Sequence, residues 1–545
     1  MSQASVGIKS EKQRKKHLVK LKKYLKQRNF KVALSLALEL KNKYLDETIA
    51  IPVLAECYYR LKDYEHAEGY LKSALDYCSN DDQRKINYKR LADVYNHKKD
   101  SGSEMIWLDK ALKIDFSDTR LLERKGAGLV KTGELQKALE CFKQAIYLPV
   151  KENAKSTADR AMAHWQIMTT PIMKPLTQEI EYLKRDLSLM KSDKDRSLLY
   201  FALGNGLERL EDYQGAFDAL VQANLLSSKD LAFNPEKLYA RAKSISDAWQ
   251  VDFPLDALKE CTFTPIFVVG LPRSGTTLTE SVFDQHPQVM ALGESPLITE
   301  GMQKFVSLNK GYEFENTLMN IDQENLQKMR DLYIKGNHIP EDFNGFTVDK
   351  MPGNFSNIGL LKRMFPNAKF INVFKNPVDA AFSIFKQNFG RSEAHSYSYS
   401  LGSSVFFRRY YEQIMLVYKR AFDDSIFDLS YEAFMDEGEP AWQRMFEFCG
   451  LEWQSSYLDF YKSKRQVNTI SAAQVRQKIN NKSANRSDRY GEVLSPLRDL
   501  LKLSYEEIWQ KYHAELIEIG EQNNTNITIK SDLNSLLNKK HKAAV

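Results

Sequence analysis

The hydrophobic rhythm of the chain changes near residue 260. Before that point, small and apolar residues recur at three- and four-residue steps, the spacing of one helix face, and Pro and Gly are scarce within the runs. Beyond Thr264 the pattern turns to short apolar runs separated by amphipathic stretches. Ile266 to Val269, Phe346 to Val348, Phe370 to Phe374 and Ile426 to Leu429 read as buried parallel strands, because a strand covered on both faces is apolar throughout. Helical runs from Thr277 to Gln285, Asn357 to Phe365 and Val378 to Phe389 lie between them. The expectation is an all-helical N-terminal part followed by an α/β domain with a parallel sheet. Its ligands would sit at the C-terminal ends of the strands.

The helical part repeats. Ala33 and Ala67 both stand where two helices of a pair would touch, and they are 34 residues apart, the tetratricopeptide period. Ala55, Tyr58, Ala67, Leu71 and Ala74 mark the faces of one unit, and Gly126, Leu129, Gly133, Ala138, Phe142 and Ala145 take the same places in a later one. Between them Ala92, Tyr95, Leu108 and Ala111 fit, although Glu104 occupies the small-residue place. Gly204, Tyr213, Ala216, Leu220 and Ala223 mark another unit. Such units stack into a solenoid with a groove. Two roles are open for it: scaffold or homodimer surface, or a groove that captures a peptide or protein acceptor.

The division expected is a basic, flexible N-terminus over 1–14, a tetratricopeptide-type helical solenoid over 15–250, an α/β domain over 262–515 and a helical or flexible tail over 516–545. Phe253-Pro254 falls in the linker.

Composition narrows the function. The formal charge of +7 arises from 78 basic and 71 acidic residues, too mild and too scattered for a nucleic-acid protein, though small basic pockets for anions are compatible with it. Five cysteines, odd in number and never in a C-x-x-C pair, argue against a zinc site and a disulfide framework. The Lys-rich N-terminus is followed by no apolar signal core, and the apolar runs are far short of the roughly 20 residues a membrane helix needs. A cytoplasmic protein without a membrane span is expected.

The candidate chemistry begins where the first strand ends. Gly270-Leu-Pro-Arg273-Ser274-Gly275-Thr276-Thr277-Leu278 is a Gly-rich loop that opens a helix, an arrangement that turns backbone N–H groups and a positive helix end toward a phosphate. A Walker A box would carry Lys after the second glycine. Thr276 stands there instead, and the basic residue is Arg273, inside the loop. That substitution argues against a metal-dependent nucleotide kinase. Two further segments bring polar groups to the same edge: Lys375-Asn376-Pro377-Val378-Asp379 with Ser383, and Gln474-Val475-Arg476 through Arg486, Arg489 and Tyr490. His286 lies at the far end of the helix after the loop and reads as structural.

Together these segments resemble the sulfotransferases that use 3′-phosphoadenosine 5′-phosphosulfate (PAPS), and in particular fusions of tetratricopeptide repeats with a sulfotransferase domain. Leu-Gly-Glu294, Asp-Lys350-Met-Pro and Ser471-Ala-Ala-Gln-Val also make the catalytic part similar to the tyrosylprotein sulfotransferases. The resemblance implies a P-loop-like α/β sulfotransferase domain with PAPS as co-substrate and no metal. It implies Glu294 as general base, with Arg273, Lys350 and Ser471 acting on the transferred group. Cofactor binding would fall to Arg273, Ser274, Gly275, Thr276, Thr277, Leu278, Lys375, Ser383, Gln474, Arg476, Arg486 and Arg489. Two positions depart from the pattern: Lys375 replaces the usual Arg and loses its planar fork, and Asn485-Arg486-Ser487 stands where Gly-Arg-Trp is usual. The acceptor implied is a hydroxyl, either of a protein tyrosine or of a small molecule or carbohydrate. The alternative is a non-catalytic interaction protein with a degenerate sulfotransferase fold.

Overall fold

The computed structural model of the chain describes residues 2–149, 154–170, 177–229, 231, 233–249, 256–308, 321–390, 393–463, 478 and 486–511. The chain divides into two compact units, Met1–Ile167 and Met168–Val545.

The first unit is helical. Its successive helices include Phe30–Tyr44, Glu47–Arg60, Tyr64–Ala74, Asp81–His97, Ser101–Ile114, Thr119–Thr132 and Leu135–Tyr147. Short polar side chains start several of them: Asn29, Asp63, Asn80, Asp100 and Asp118 each accept a backbone N–H of the first turn. Ala33, Ala67 and Ala138 are fully buried, as their place in the pattern requires. At Gly126 a Cβ would lie 2.3 Å from the Phe142 ring, so only glycine lets those two helices meet. Glu104 keeps its place by a different route: it is buried, and Arg124 donates to it at 3.0 Å. The period reappears as bonding. Tyr59 donates to Asp93 at 2.5 Å, and Arg90 donates to Glu56, both across 34 residues.

The second unit combines further helices, Thr177–Leu189, Asp193–Arg209, Tyr213–Ser228 and Pro235–Ala248, with a five-stranded parallel sheet. The strands are β1 (Thr264–Gly270), β2 (Val289–Gly293), β3 (Phe346–Asp349), β4 (Lys369–Phe374) and β5 (Ile426–Ser430), in the order β2-β3-β1-β4-β5. Four of them are the apolar runs read from the sequence. β2 was not among those runs, although Val289-Met-Ala-Leu-Gly293 is apolar throughout; it lies at the sheet edge with every residue half-buried.

Alternation along β1 builds a core on each face. Phe267 and Val269 pack with Phe370, Tyr333, Phe365 and Tyr418, and the helical residues Ile245 and Trp249 complete that layer. Ile266 and Val268 face Val348, Ile371, Phe283, Trp442 and Phe446. Trp249 lies so close to Gly359 that a Cβ there would come within 2.3 Å of the indole. Asn224, buried in the helix Tyr213–Ser228, donates to the Phe385 carbonyl at 2.9 Å. The helices preceding the sheet are thus part of its core. Among the described residues no helix is long and apolar enough to cross a membrane.

Candidate active site

Chain direction from β1 reverses at β4: β2 and β3 build one side of the sheet, β4 and β5 the other. The crevice beyond the ends of β1 and β4 is where such a sheet leaves room for a ligand. Gly270 pairs with Val373, so the loops after these strands emerge side by side.

The first loop needs its glycines. Gly270 has φ +144°, and a Cβ would lie 2.2 Å from the Val373 carbonyl oxygen. Gly275 has φ +110°, with Tyr431 2.9 Å from where a Cβ would sit. Arg273 also takes a positive φ, 71°, an uncommon conformation for a side-chain-bearing residue and one that helps curl the loop. Thr276–Phe283 then begins as a helix whose cap position is Gly275, which offers its N–H groups no side-chain acceptor. Ser274, Thr276 and Thr277 are buried, Leu278 is half-buried, and the Ser274 hydroxyl donates to the Leu271 carbonyl at 2.8 Å.

The second loop is built differently. Asn376 caps its own helix, Pro377–Phe385, accepting from Val378 N at 2.9 Å and Asp379 N at 3.3 Å. That helix start is therefore already satisfied, and the loop offers side chains. Lys375 is buried, 3.9 Å from Asp379 and 5.1 Å from the centre of the Tyr431 ring. Burial pushes its amine below the usual range, against the pull of Asp379 and Glu432. Ser383 is half-buried two turns into the helix. Asp379 also anchors the third segment, accepting from Ser487 N at 2.7 Å and Arg486 N at 3.3 Å.

Arg273, Lys375 and Arg486 thus converge. Burial lowers the Arg273 guanidinium to about 10, with Arg486 adding to the effect, so it stays a cation at neutral pH. Arg489 is exposed, and Ser471, Gln474 and Arg476 lie outside the described residues.

The other candidates meet at the ends of β2 and β3. The register shifts between Ala291 and Gly293, so that Gly293 pairs with Asp349. The next residues, Glu294 and Lys350, consequently face each other. Lys350 has no exposed surface; it donates to Glu294 and lies 4.0 Å from the buried carboxylate of Glu280. Glu294 keeps 42% of its side chain exposed, so the pair runs from the interior to the solvent. Beneath it, burial pushes the Asp349 carboxyl up to about 7, although Tyr333 donates to it at 2.9 Å. His395 completes the surroundings. Its ring stacks on Phe389, its Nδ1 is 3.1 Å from the Tyr397 hydroxyl, and burial lowers its pKa against the opposing pull of Glu294.

The structure therefore brings together Arg273, Lys375, Asp379 and Arg486 on one hand, and Glu294 and Lys350 on the other. The reading of the sequence did not single out Glu280, Asp349, Lys386 or His395. Only Lys386 carried a usable signal, since it falls three residues after Ser383 and so on the same helix face. His286 is buried against Phe446 and Tyr457, and its Nδ1 accepts from Gln288 N at 3.2 Å, a packing role.

Residues 265–455 match the model of the sulfotransferase family. A Caenorhabditis briggsae protein named "Putative protein-tyrosine sulfotransferase" is 26% identical over 232 residues, covering 40% of this chain and 78% of that one. An uncharacterized protein of Aquifex aeolicus (strain VF5) is 28% identical over 407 residues, 72% of this chain; the chain spans 52% of that relative's length. Among solved structures, the sulfotransferase domain of the Synechococcus PCC 7002 olefin synthase aligns over 47% of this chain and 97% of its own, at 18% identity and a TM-score of 0.33.

Proposed function

We propose that the chain is a sulfotransferase that moves a sulfuryl group from PAPS to a hydroxyl. The observation that carries this reading is a glycine-built loop with an internal arginine, set beside buried cations and a separate Lys350–Glu294 pair. A Cβ on either glycine would strike the Val373 carbonyl or the Tyr431 ring, so only glycine lets the loop take the positive-φ turns that expose its backbone N–H groups. PAPS supplies the sulfuryl group, and its remainder departs as adenosine 3′,5′-bisphosphate.

The residues divide the work. Backbone N–H groups of the loop, with Thr276 and Thr277, hold the 5′-phosphate. Lys375, Ser383 and Arg486 hold the 3′-phosphate. Glu294 receives the proton of the acceptor hydroxyl as its oxygen bonds to sulfur and the sulfur–phosphate-oxygen bond breaks. Arg273 and Lys350 offset the negative charge that gathers on the sulfuryl and bridging oxygens. Lys350 is bound to Glu294 before substrate arrives, so its ammonium must turn from carboxylate to sulfuryl oxygen, which frees Glu294 for the proton.

A protein-tyrosine acceptor is favoured by the similarity to the Caenorhabditis briggsae protein and by the helical array, in which tetratricopeptide-type units would present a peptide. Calorimetric titration with adenosine 3′,5′-bisphosphate, with and without magnesium, is expected to show binding independent of the metal. A screen of tyrosine peptides, phenols and carbohydrates with labelled PAPS then identifies the acceptor. Absence of binding in both conditions overturns the reading.

A further inference from the structure

Glu208 belongs to the helix Asp193–Arg209, far in sequence from the sheet. Its carboxylate is nearly fully buried, with 4% of the side chain exposed. One oxygen accepts from Lys386 and the other from the Arg486 guanidinium. Lys386 follows the helix Pro377–Phe385 and shares a face with Ser383; Arg486 opens the segment that Asp379 anchors. A single carboxylate thus ties together two elements that border the Lys375 loop.

The electrostatics explain why a carboxylate stands there. Arg273, Lys375, Lys386 and Arg486 act on one another's charge, a grouping that outnumbers its neighbouring carboxylates Glu208, Asp379 and Glu432. Burial and the nearby Arg486 push the Lys386 amine down to about 8, while Lys386 and Arg486 hold Glu208 down to about 2 against its own burial. Without the carboxylate, the buried Lys386 and the partly buried Arg486 repel each other, and Arg486 loses the contact that fixes its side chain.

We propose that Glu208 is a positioning residue for the nucleotide: it holds Lys386 and Arg486 charged and in place for the 3′-phosphate, so that a helix preceding the sulfotransferase sheet sets the affinity of that subsite. This rests on the PAPS reading above. The test compares adenosine 3′,5′-bisphosphate with adenosine 5′-phosphate, titrated against the full chain. In Glu208→Gln the bisphosphate is expected to bind about 10-fold more weakly, equivalent to ~1.4 kcal/mol, with the 5′-phosphate altered less than about twofold. Glu208→Asp, which keeps the charge on a shorter arm, is expected to lose about threefold, again for the bisphosphate alone. It also serves where the Gln variant does not fold. Equal weakening of both nucleotides marks a structural role and overturns the inference, as does tighter bisphosphate binding in either variant. A wild-type chain that binds neither nucleotide removes the PAPS reading itself, a different result from wild-type binding with an unchanged ratio.

Discussion

At the scale of single residues, the site is arranged by depth. Lys350 is buried, Glu294 reaches solvent, and Asp349 lies under both. Replacing Glu294 with Ala removes the proposed proton acceptor and leaves the loops after β1 and β4 untouched. Transfer from PAPS is expected to fall by about 10²-fold or more while calorimetric affinity for adenosine 3′,5′-bisphosphate is retained. Unchanged transfer would assign the base to another group, and His395 is the neighbour to test next. Asp349 predicts a stability effect. Its folded-state value of about 7 is well above the ordinary carboxylate range, so between about pH 4 and pH 7 the folded chain holds a proton that the unfolded chain releases. Stability contributed by this group therefore declines as pH rises through that window and is level above it. Asp349→Asn should flatten the corresponding slope, on the order of 1.4 kcal/mol per pKa unit, in urea midpoints measured from pH 4 to pH 8. Parallel slopes in the two proteins would place the titration elsewhere.

At the scale of elements, the sequence disclosed what local chemistry dictates. β1, β3 and β4 are covered strands, and their largely apolar runs are the imprint of that burial, whereas β5 is an edge strand with Asp428 exposed, legible through Ile426, Phe427 and Leu429. The loop from Gly270 to Thr277 was legible for a similar reason, since its backbone conformations restrict which residues fit. β2 is an apolar run too, but it is an edge strand whose residues are all half-buried, so its apolar pattern does not report full cover. Glu294 was found through its resemblance to a family pattern, whereas its partnership with Lys350 depends on a register shift between two strands that no local pattern encodes. Lys375 and Arg486 were identified as separate basic residues. What joins them is Asp379, which accepts from the backbone of Arg486 and lies 3.9 Å from Lys375. Glu208 was invisible: it looks like any polar residue of a repeat helix until the fold brings its carboxylate to Lys386.

At the scale of the molecule, the boundary between compact units matters more than the change in hydrophobic rhythm. The rhythm changes near residue 260, but the second compact unit begins at Met168. Ile245 and Trp249 lie in one core of the sheet, and Asn224 and Glu208 bond to residues beyond residue 380. A fragment cut at the change of rhythm would lose all four. A chain beginning at residue 168 is expected to be soluble and to bind adenosine 3′,5′-bisphosphate within about threefold of full length. One beginning at residue 256 is expected to be unstable or to bind at least about tenfold more weakly. Equal behaviour of the two fragments, measured by thermal melts and calorimetry, would show that the intervening helices are dispensable.

The self-capped start of the helix Pro377–Phe385 has a consequence for how this protein can change over generations. Because Asn376 already occupies those N–H groups, the loop after β4 has only side chains to offer a ligand, while the loop after β1 offers main chain beside Arg273, Thr276 and Thr277. Away from Gly270 and Gly275, main-chain donors persist through side-chain replacement, whereas side chains can be exchanged one codon at a time. The two halves of the crevice therefore differ in heritable plasticity. On the proposed PAPS reading, new nucleotide preferences would arise at the β4 side while the main-chain grip at the β1 side is inherited.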